Sequence, residues 1–228
     1  MFVDTRIHCV FYAARAEAQG RMASINNELA TAPQSGPADL SALTMMNRRS
    51  VPSALLQAPA PTDLELKGIL TIASRVPDHG VLVPWRFIVV KDRHADDLLA
   101  EFLQAHAAEE QEESLRSAMA SRLRAWLIGP PAIVFLIWRP NHAANFPELD
   151  QLLCAGAVAT TFLHAVHASG YGSIWLTGWP CSSERVGRIM GLGADERLLG
   201  LFPLGTPIRR PAERARPDVT ELLSEWRS

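Results

Sequence analysis

The spacing of apolar residues along the chain changes repeatedly between a helical period and short strand-like runs. Apolar residues three and four positions apart predict a helix that follows Thr62, its N-cap, and stops at Pro77. The same period predicts a short helix at residues 40–47, two helices between residues 94 and 127, a long helix at residues 148–169, and a helix that begins at Ser182 or Ser183 and runs through Met190.

The apolar runs between these helices predict strands. Residues 132–138 are apolar throughout, as in a strand that is buried on both faces. Residues 87–91 are rich in β-branched side chains, and residues 173–177 and 199–204 are further strand-like runs. Because strands and helices alternate, the pattern predicts a central sheet with helices on both faces.

The two ends of the chain have a different composition. Residues 31–39 (TAPQSGPAD) predict a linker, so we expect an N-terminal extension at residues 1–39 and one folded domain at residues 40–228. Asp4 and Glu17 make the first twenty residues a poor secretory signal or transit peptide. A flexible extension, or a start at Met22, is the simpler interpretation. After Pro207 the chain becomes a polar arm rich in Pro and Arg.

Composition and charge exclude several classes of protein. The 22 basic and 24 acidic residues give a net charge of -2, without the basic excess typical of nucleic-acid binding. Apolar runs stay shorter than the roughly 20 residues of a membrane helix, so we expect no membrane partner. The three cysteines are widely spaced and form no CxxC pair, which argues against structural zinc and favours a reducing, cytoplasmic location.

The common nucleotide and hydrolase motifs are missing from the sequence. There is no GxxxxGK[ST] phosphate loop and no GxSxG elbow. The pairs Gly170/Gly172 and Gly191/Gly193 stand at helix ends, where a Rossmann dinucleotide site does not place them. His164 and His167 lie three apart on one predicted helix but lack a third metal ligand at sensible spacing.

The segment Asn47-Arg48-Arg49-Ser50 is the first candidate binding site. Two guanidinium groups and a hydroxyl follow a short helix there, and an arginine can bind a phosphate through two parallel hydrogen bonds. The alternative is that the arginines only compensate the dipole at the C-terminus of the helix.

Two further segments combine unusual residue types. Residues 75–80 (RVPDHG), followed by PWRF at residues 84–87, form a shaped loop between a helix and a strand. Its alternative interpretation is a turn in which Asp78 accepts backbone hydrogen bonds and Trp85 packs in the core. Residues 172–179 (GSIWLTGW) form a strand end against which a flat heteroaromatic ligand could lie, although core packing also explains its two tryptophans.

Taken together, these motifs resemble the FMN-dependent nitroreductases. The order NRRS, then RxPDHG with PWRF, then a helix of small residues leading into GYGSIWLTGW, then LGTP, is most similar to the NAD(P)H nitroreductase branch with a Pro-Asp-His loop. The resemblance covers roughly residues 42–228. It implies an α+β, three-layer α/β/α fold in which helices flank a mixed central sheet, in an intertwined homodimer with shared active sites.

The resemblance also implies which residues bind FMN. Arg48, Arg49 and Ser50 would hold its phosphate and ribityl end, while Arg75 and His79 would contact flavin across the dimer. Trp175, Leu176 and Thr177 would lie along the cofactor, with backbone rather than side-chain contacts at Leu176, where some relatives carry arginine. Arg214 and Arg216 stand where many members carry a final basic pair, and Arg216 is expected to reach the phosphate.

The reaction implied by the resemblance is hydride transfer in two steps. NADH or NADPH reduces FMN, and a small-molecule acceptor, such as a nitroaromatic or a quinone, then takes the reducing equivalents. Because FMN carries the chemistry, no side chain is expected to act as a catalytic acid or base. Two alternatives remain open: a flavin-binding or regulatory protein without turnover, and a dehalogenating or flavin-fragmenting member of the same fold.

Overall fold

The computed structural model describes the backbone of residues 40–227 and the side chains of residues 44–91 and 93–227. The predicted extension at residues 1–39 lies outside the described residues. Seven α-helices are present in the described part: α1 Leu40–Asn47, α2 Asp63–Ala73, α3 Ala95–Glu109, α4 Glu113–Leu127, α5 Glu148–Ala168, α6 Trp179–Ser182 and α7 Glu184–Ile189. The strands are β1 Leu56–Gln57, β2 Trp85–Lys91, β3 Ala132–Trp138, β4 Gly172–Ser173 and β5 Arg197–Pro207.

The strands form one sheet in the order β1-β5-β3-β2, and β4 pairs with β5 beside this path. All pairings within residues 40–227 are antiparallel, so the sheet formed by these residues is not the mixed sheet that the resemblance implied. β3 lies in the middle of the sheet, paired with β2 on one side and β5 on the other. A fully apolar strand is therefore found where both faces are covered, as the sequence predicts.

Alternate side chains of β3 enter two separate cores. Val134 and Leu136 pack with α2 and α5, whereas Ile133, Phe135 and Ile137 pack with α3, α4 and α7. This alternation follows from the two-residue period of a strand. Helices consequently cover both faces of the sheet, and the predicted three-layer α/β/α fold is confirmed.

Most of the predicted elements are present with small differences at their ends. Thr62 caps α2 in a capping box with Glu65, but the helix ends at Ala73 instead of continuing to Pro77. Ser183 caps α7 and its side chain accepts from the N–H of Val186. The predicted strand at residues 173–177 is mostly irregular, because only β4 and a single bridge from Leu176 to Leu201 pair there.

The small residues of α5 are divided between two environments. Ala155 and Ala159 are fully buried in the core of their own chain, so they do not form an external packing surface. Gly156 and Ala157 are half-buried and Thr160 is exposed. By length and composition α5 is apolar enough to cross a membrane, but its buried residues contribute to the core under the sheet.

Candidate functional site

The segment after α1 holds Arg48 and Ser50 close to β4. The N–H of Val51 donates to the carbonyl oxygen of Ser173 at 2.9 Å, which anchors this segment to the sheet. Nη1 of Arg48 lies 3.5 Å from Oγ of Ser50, so both donors face the same space. The predicted pair Arg48 and Ser50 is therefore brought together.

The C-terminal arm folds back onto the same segment. Nη1 of Arg49 donates to the carbonyl oxygen of Ala212 and lies 3.3 Å from Oε1 of Glu213. Nη2 of Arg216 lies 3.2 Å from the same oxygen of Glu213. These contacts bring residues 163 and 164 positions apart in the chain to one place.

We define the arginine cluster as Arg48, Arg49, Arg214 and Arg216. The pKa of Arg48 lies below its ordinary value, first because burial desolvates the guanidinium and then because Arg216, Arg49 and Arg214 repel its charge. Glu213 opposes this effect. Four cations against one carboxylate leave a positive excess that favours an anion.

Two histidines of α5 lie beside the arginine cluster. The pKa values of His164 and His167 are both lowered, mainly by burial and also by the positive charge of Arg48. Nδ1 of His164 is buried and has no hydrogen-bond partner among residues 40–227. The sequence favoured ordinary surface or core histidines over a metal pair, and it did not predict their position because only the fold brings α5 against the NRRS segment.

The strand-end segment has the predicted aromatic surface. The ring of Trp175 stacks on Phe202 at 5.8 Å, and its Nε1 donates to the carbonyl oxygen of Leu199 at 3.0 Å. Trp175 is still 36% exposed, and Thr177 is exposed. The indole is therefore held in place while part of it remains open to a ligand.

Leu176 differs from the expectation of backbone contacts to a cofactor. Its N–H donates to the carbonyl oxygen of Leu201, and its own carbonyl oxygen accepts from the N–H of Leu201, both at 2.9 Å. The side chain packs against the core under α3 and α4. The N–H of Leu176 is thus unavailable to a ligand, since bridging to β5 already engages it.

The loop at residues 75–83 is shaped by strained backbone and local anchors. Val81 and Val83 have φ of 54° and 49°, a conformation that β-branched residues rarely adopt. Both carboxylate oxygens of Asp78 accept N–H groups, from Leu82 at 3.2 Å and from Val83 at 2.8 Å. Trp85 is buried, with its Nε1 3.4 Å from Oγ of Ser74. The turn-and-core interpretation of this loop is therefore confirmed.

His79 lies away from the arginine cluster. Arg75 is exposed, and His79 contacts Asp150 through Nδ1 at 3.3 Å and the ring of Phe146 at 4.3 Å. Asp150 stands fourteen residues before His164 on α5, about 20 Å at 1.5 Å per residue. Within one chain, His79 therefore lies at the N-terminal end of α5, and the arginine cluster lies towards its C-terminal end.

The described cysteines offer no reactive thiol at these positions. Cys154 and Cys181 are free, and Cys154 is buried in the core. Burial raises the pKa of Cys181 to about 11, which keeps its thiol neutral at physiological pH. Within residues 40–227 no group of three His, Cys, Asp or Glu side chains is placed to hold a metal ion.

The residues present suit a flat ligand that carries one phosphate. Guanidinium and hydroxyl donors converge around Arg48. Two buried polar atoms nearby, Nδ1 of His164 and Oγ of Ser173, have no hydrogen-bond partner in the described part of the chain. Such orphaned groups cost free energy unless a ligand or water satisfies them. The partly open indole of Trp175 adds an aromatic wall.

Comparison with known sequences finds a matching family and similar proteins. The sequence profile of the Nitroreductase family matches residues 45–206. The chain is 30% identical over 182 residues to the "Putative NAD(P)H nitroreductase YdjA" of Escherichia coli strain K12, covering 79% of this chain and 96% of that protein.

Solved structures share the fold at lower identity. A nitroreductase-like family protein from Bacillus cereus aligns with a TM-score of 0.71 at 19% identity, over 85% of this chain and 98% of that one. A Desulfovibrio desulfuricans protein described as a putative nitroreductase in complex with FMN aligns with a TM-score of 0.62 at 21% identity, over 83% and 98% of the two chains.

Proposed function

This chain belongs to the nitroreductase family, and from that premise we propose that it is an FMN-dependent oxidoreductase. It would pass reducing equivalents from NADH or NADPH through FMN to a small acceptor such as a nitroaromatic or a quinone. The observation that carries this proposal is the convergence of Arg48, Ser50 and the arm arginines at one point of the fold. Four arginines at one place suit a terminal phosphate group.

Each part of the site has a separate task in this proposal. Arg48, Ser50 and Arg216 bind the phosphate, the positive charge of Arg214 adds to the field around it, and Arg49 contacts the arm. Trp175 and Thr177 lie along the ring system, where Leu176 contributes only packing. FMN, when bound, supplies the hydride chemistry. The chain binds and orients it and keeps water from the covered side of the ring.

We place Arg75 and His79 at the flavin held mainly by a second subunit. The separation of about 20 Å along α5 between His79 and the arginine cluster supports this arrangement. The anchors of His79, Asp150 and Phe146, hold its ring at the end of α5, 63% exposed and open to a partner. A homodimer with shared sites is therefore proposed.

The exposed apolar residues support the homodimer. Leu149 and Leu153 on α5 are 63% and 62% exposed. The arm adds a second apolar group after the arginine cluster: Val219, Leu222, Leu223 and Trp226, all at least 70% exposed. Exposed apolar area of this extent is typical of an interface.

The experiment that tests the proposal is identification of the chromophore, followed by its reduction. We expect purified protein to release FMN on heating, as identified by mass, and the bound flavin to be bleached by NADH or NADPH under anaerobic conditions. A nitroaromatic or a quinone should then restore the colour. FAD, haem or no chromophore after reconstitution would contradict the cofactor, whereas FMN that stays yellow with both nicotinamides would indicate a binding protein.

A further inference from the structure

Arg49 differs from its neighbour Arg48 in what it contacts. Its side chain is only 15% exposed, and it donates to the carbonyl oxygen of Ala212 and to Glu213. The hydrogen bond that the Arg48 side chain makes within the described residues is a long one to Ser50, and three arginines surround it with like charge. The two adjacent arginines look equivalent in the sequence, but Arg49 contacts the C-terminal arm and Arg48 faces Ser50.

Glu213 is the point at which these contacts meet. Its Oε1 receives Arg49 at 3.3 Å, Arg216 at 3.2 Å and the N–H of Arg214 at 2.9 Å. Arg49 follows α1, whereas Arg214 and Arg216 belong to the arm. One carboxylate oxygen thus bridges two segments whose four arginines repel each other, and two hydrogen bonds to backbone carbonyl oxygens, from Arg49 to Ala212 and from Arg210 to Asn47, join the same segments.

We propose that Arg49 and Glu213 form a clamp that assembles the phosphate site, and that Glu213 is a positioning residue for the arm arginines. The clamp holds Arg216 beside Arg48. Only Nη2 of Arg216 contacts Glu213, so the remaining N–H donors of the same guanidinium can bind an anion. In this arrangement Arg49 acts on the ligand through the arm and not by direct contact. The inference rests on the proposed function, because the anion it serves is the phosphate of FMN.

The first test compares two flavins that differ only in the phosphate. Glu213→Gln keeps the size of the side chain but removes its charge. We expect the dissociation constant of flavin-free protein for FMN to rise roughly tenfold or more, because a charge-assisted contact of Arg216 to phosphate is lost. The dissociation constant for riboflavin, read from flavin fluorescence, should not change.

A double-mutant cycle separates the clamp from a direct role of Arg49. If Arg49 acts through Glu213, then Arg49→Gln and the double variant should both match Glu213→Gln in their loss of FMN affinity. If Arg49 contacted the phosphate directly, Arg49→Gln would bind FMN more weakly than the parent, whereas Glu213→Gln would bind FMN as tightly as the parent. Glu225→Gln is the matched control, because Glu225 lies in the same arm and pairs with Arg227.

Limited proteolysis reports the clamp without any flavin. Arg214 is followed by Ala215 and is open to trypsin, whereas Arg210 and Arg216 precede proline and resist it. In flavin-free protein we expect trypsin to cut Arg49→Gln after Arg214 several times faster than it cuts the parent. The residues around this cleavage site are the same in both proteins. The fragment is identified by mass.

The outcomes separate this inference from the proposed function. Parent protein that binds no FMN contradicts the proposed function and, with it, the phosphate role of the clamp. Parent protein that binds FMN, with Glu213→Gln equal to it or tighter, overturns the clamp alone. Equal tryptic rates for the parent and Arg49→Gln would also overturn it. The expected pattern is weaker FMN binding, unchanged riboflavin binding and faster cleavage.

Discussion

At the scale of single residues, Arg48 is held in an environment that is unfavourable for its charge. Burial and three neighbouring arginines lower its pKa, so the flavin-free chain retains a repulsion that an anion would relieve. Residues placed for binding commonly reduce stability in this way. Removal of the Arg48 side chain should therefore change the affinity for the ligand more than the stability of the fold.

The double variant Arg48→Ala/Ser50→Ala tests this directly. We expect FMN binding to weaken by about 2–4 kcal/mol, as for lost charge-assisted hydrogen bonds to phosphate, while the flavin-free protein melts no lower than the parent. Calorimetric titration and thermal melts measure the two quantities. Arg122→Ala, on the exposed side of α4, is the control. A variant that binds FMN as tightly as the parent would exclude the phosphate role.

His164 and His167 predict how the stability of the flavin-free protein depends on pH. Burial first, and then nearby arginines, hold both pKa values below the ordinary imidazole value of about 6.5. Protonation is therefore harder in the folded state than in the unfolded one. The stabilisation from these neutral histidines is complete above that ordinary value and is lost as the pH falls towards the lowered pKa values.

We therefore expect Tm of the flavin-free protein to fall between pH 7.5 and 5.5, and to fall less in His164→Gln/His167→Gln. Melts over this pH range measure the difference, with His94→Gln, an exposed histidine after β2, as the control. If Tm depended on pH equally in the double variant and the parent, protonation of these two histidines would not be what destabilises the folded protein.

At the scale of elements, the loop at residues 75–83 is held by packing. Gly80 has φ +79°, and a Cβ there would lie 2.4 Å from Cε2 of Phe146. The absence of a side chain lets the loop approach the residues before α5 and sets His79 against Asp150. Strained positions of this kind persist where surrounding contacts determine them, and they are common at functional sites.

Gly80→Ala should reduce the free energy of unfolding by about 1–3 kcal/mol, because both the backbone and Phe146 oppose a methyl group. Denaturant unfolding measures this loss. Gly68→Ala is the matched change in the middle of α2, where nothing lies within 4 Å, and it should stabilise the protein by about 0.5–1 kcal/mol. Equal effects of the two changes would mean that the loop is not packed as described.

At the scale of the whole molecule, the site residues divide into two groups that one chain holds apart. The proposed dimer would bring Arg75 and His79 of one subunit to the arginine cluster of the other, over an interface larger than roughly 2,000 Å². Leu153→Glu should then yield monomers that bind FMN poorly, because the charge enters the interface. Ile128→Glu, on an apolar side chain exposed to 40% elsewhere, should remain a dimer.

Complementation tests whether the sites are shared. One inactive variant is altered at Arg48 and Ser50, and the other at Arg75 and His79. In a co-refolded heterodimer one of the two shared sites is intact, so we expect part of the activity to return. Heterodimers without activity, or a folded monomer with full activity, would rule out shared sites. Sedimentation of the same samples establishes which species is present.

Local sequence was sufficient for most of the secondary structure. The period of apolar residues predicted α3 and α4, the bounds of α1 and β3, and the cap at Thr62, because these depend on neighbours along the chain. Ala73 ends α2 earlier than expected, and irregular backbone replaces most of the strand at residues 173–177, because contacts with other elements decide such ends.

Tertiary structure alone decided which partners the candidate site residues meet. NRRS and the arm are remote in sequence, so only folding could bring Glu213 to Arg49 or His164 to Arg48. Leu176 illustrates the same limit, since its pairing with Leu201 removes the backbone contact that the motif suggested. Residue type determines which interactions are chemically possible, and the packing of distant segments determines which partner each residue meets and hence its charge, exposure and remaining donors.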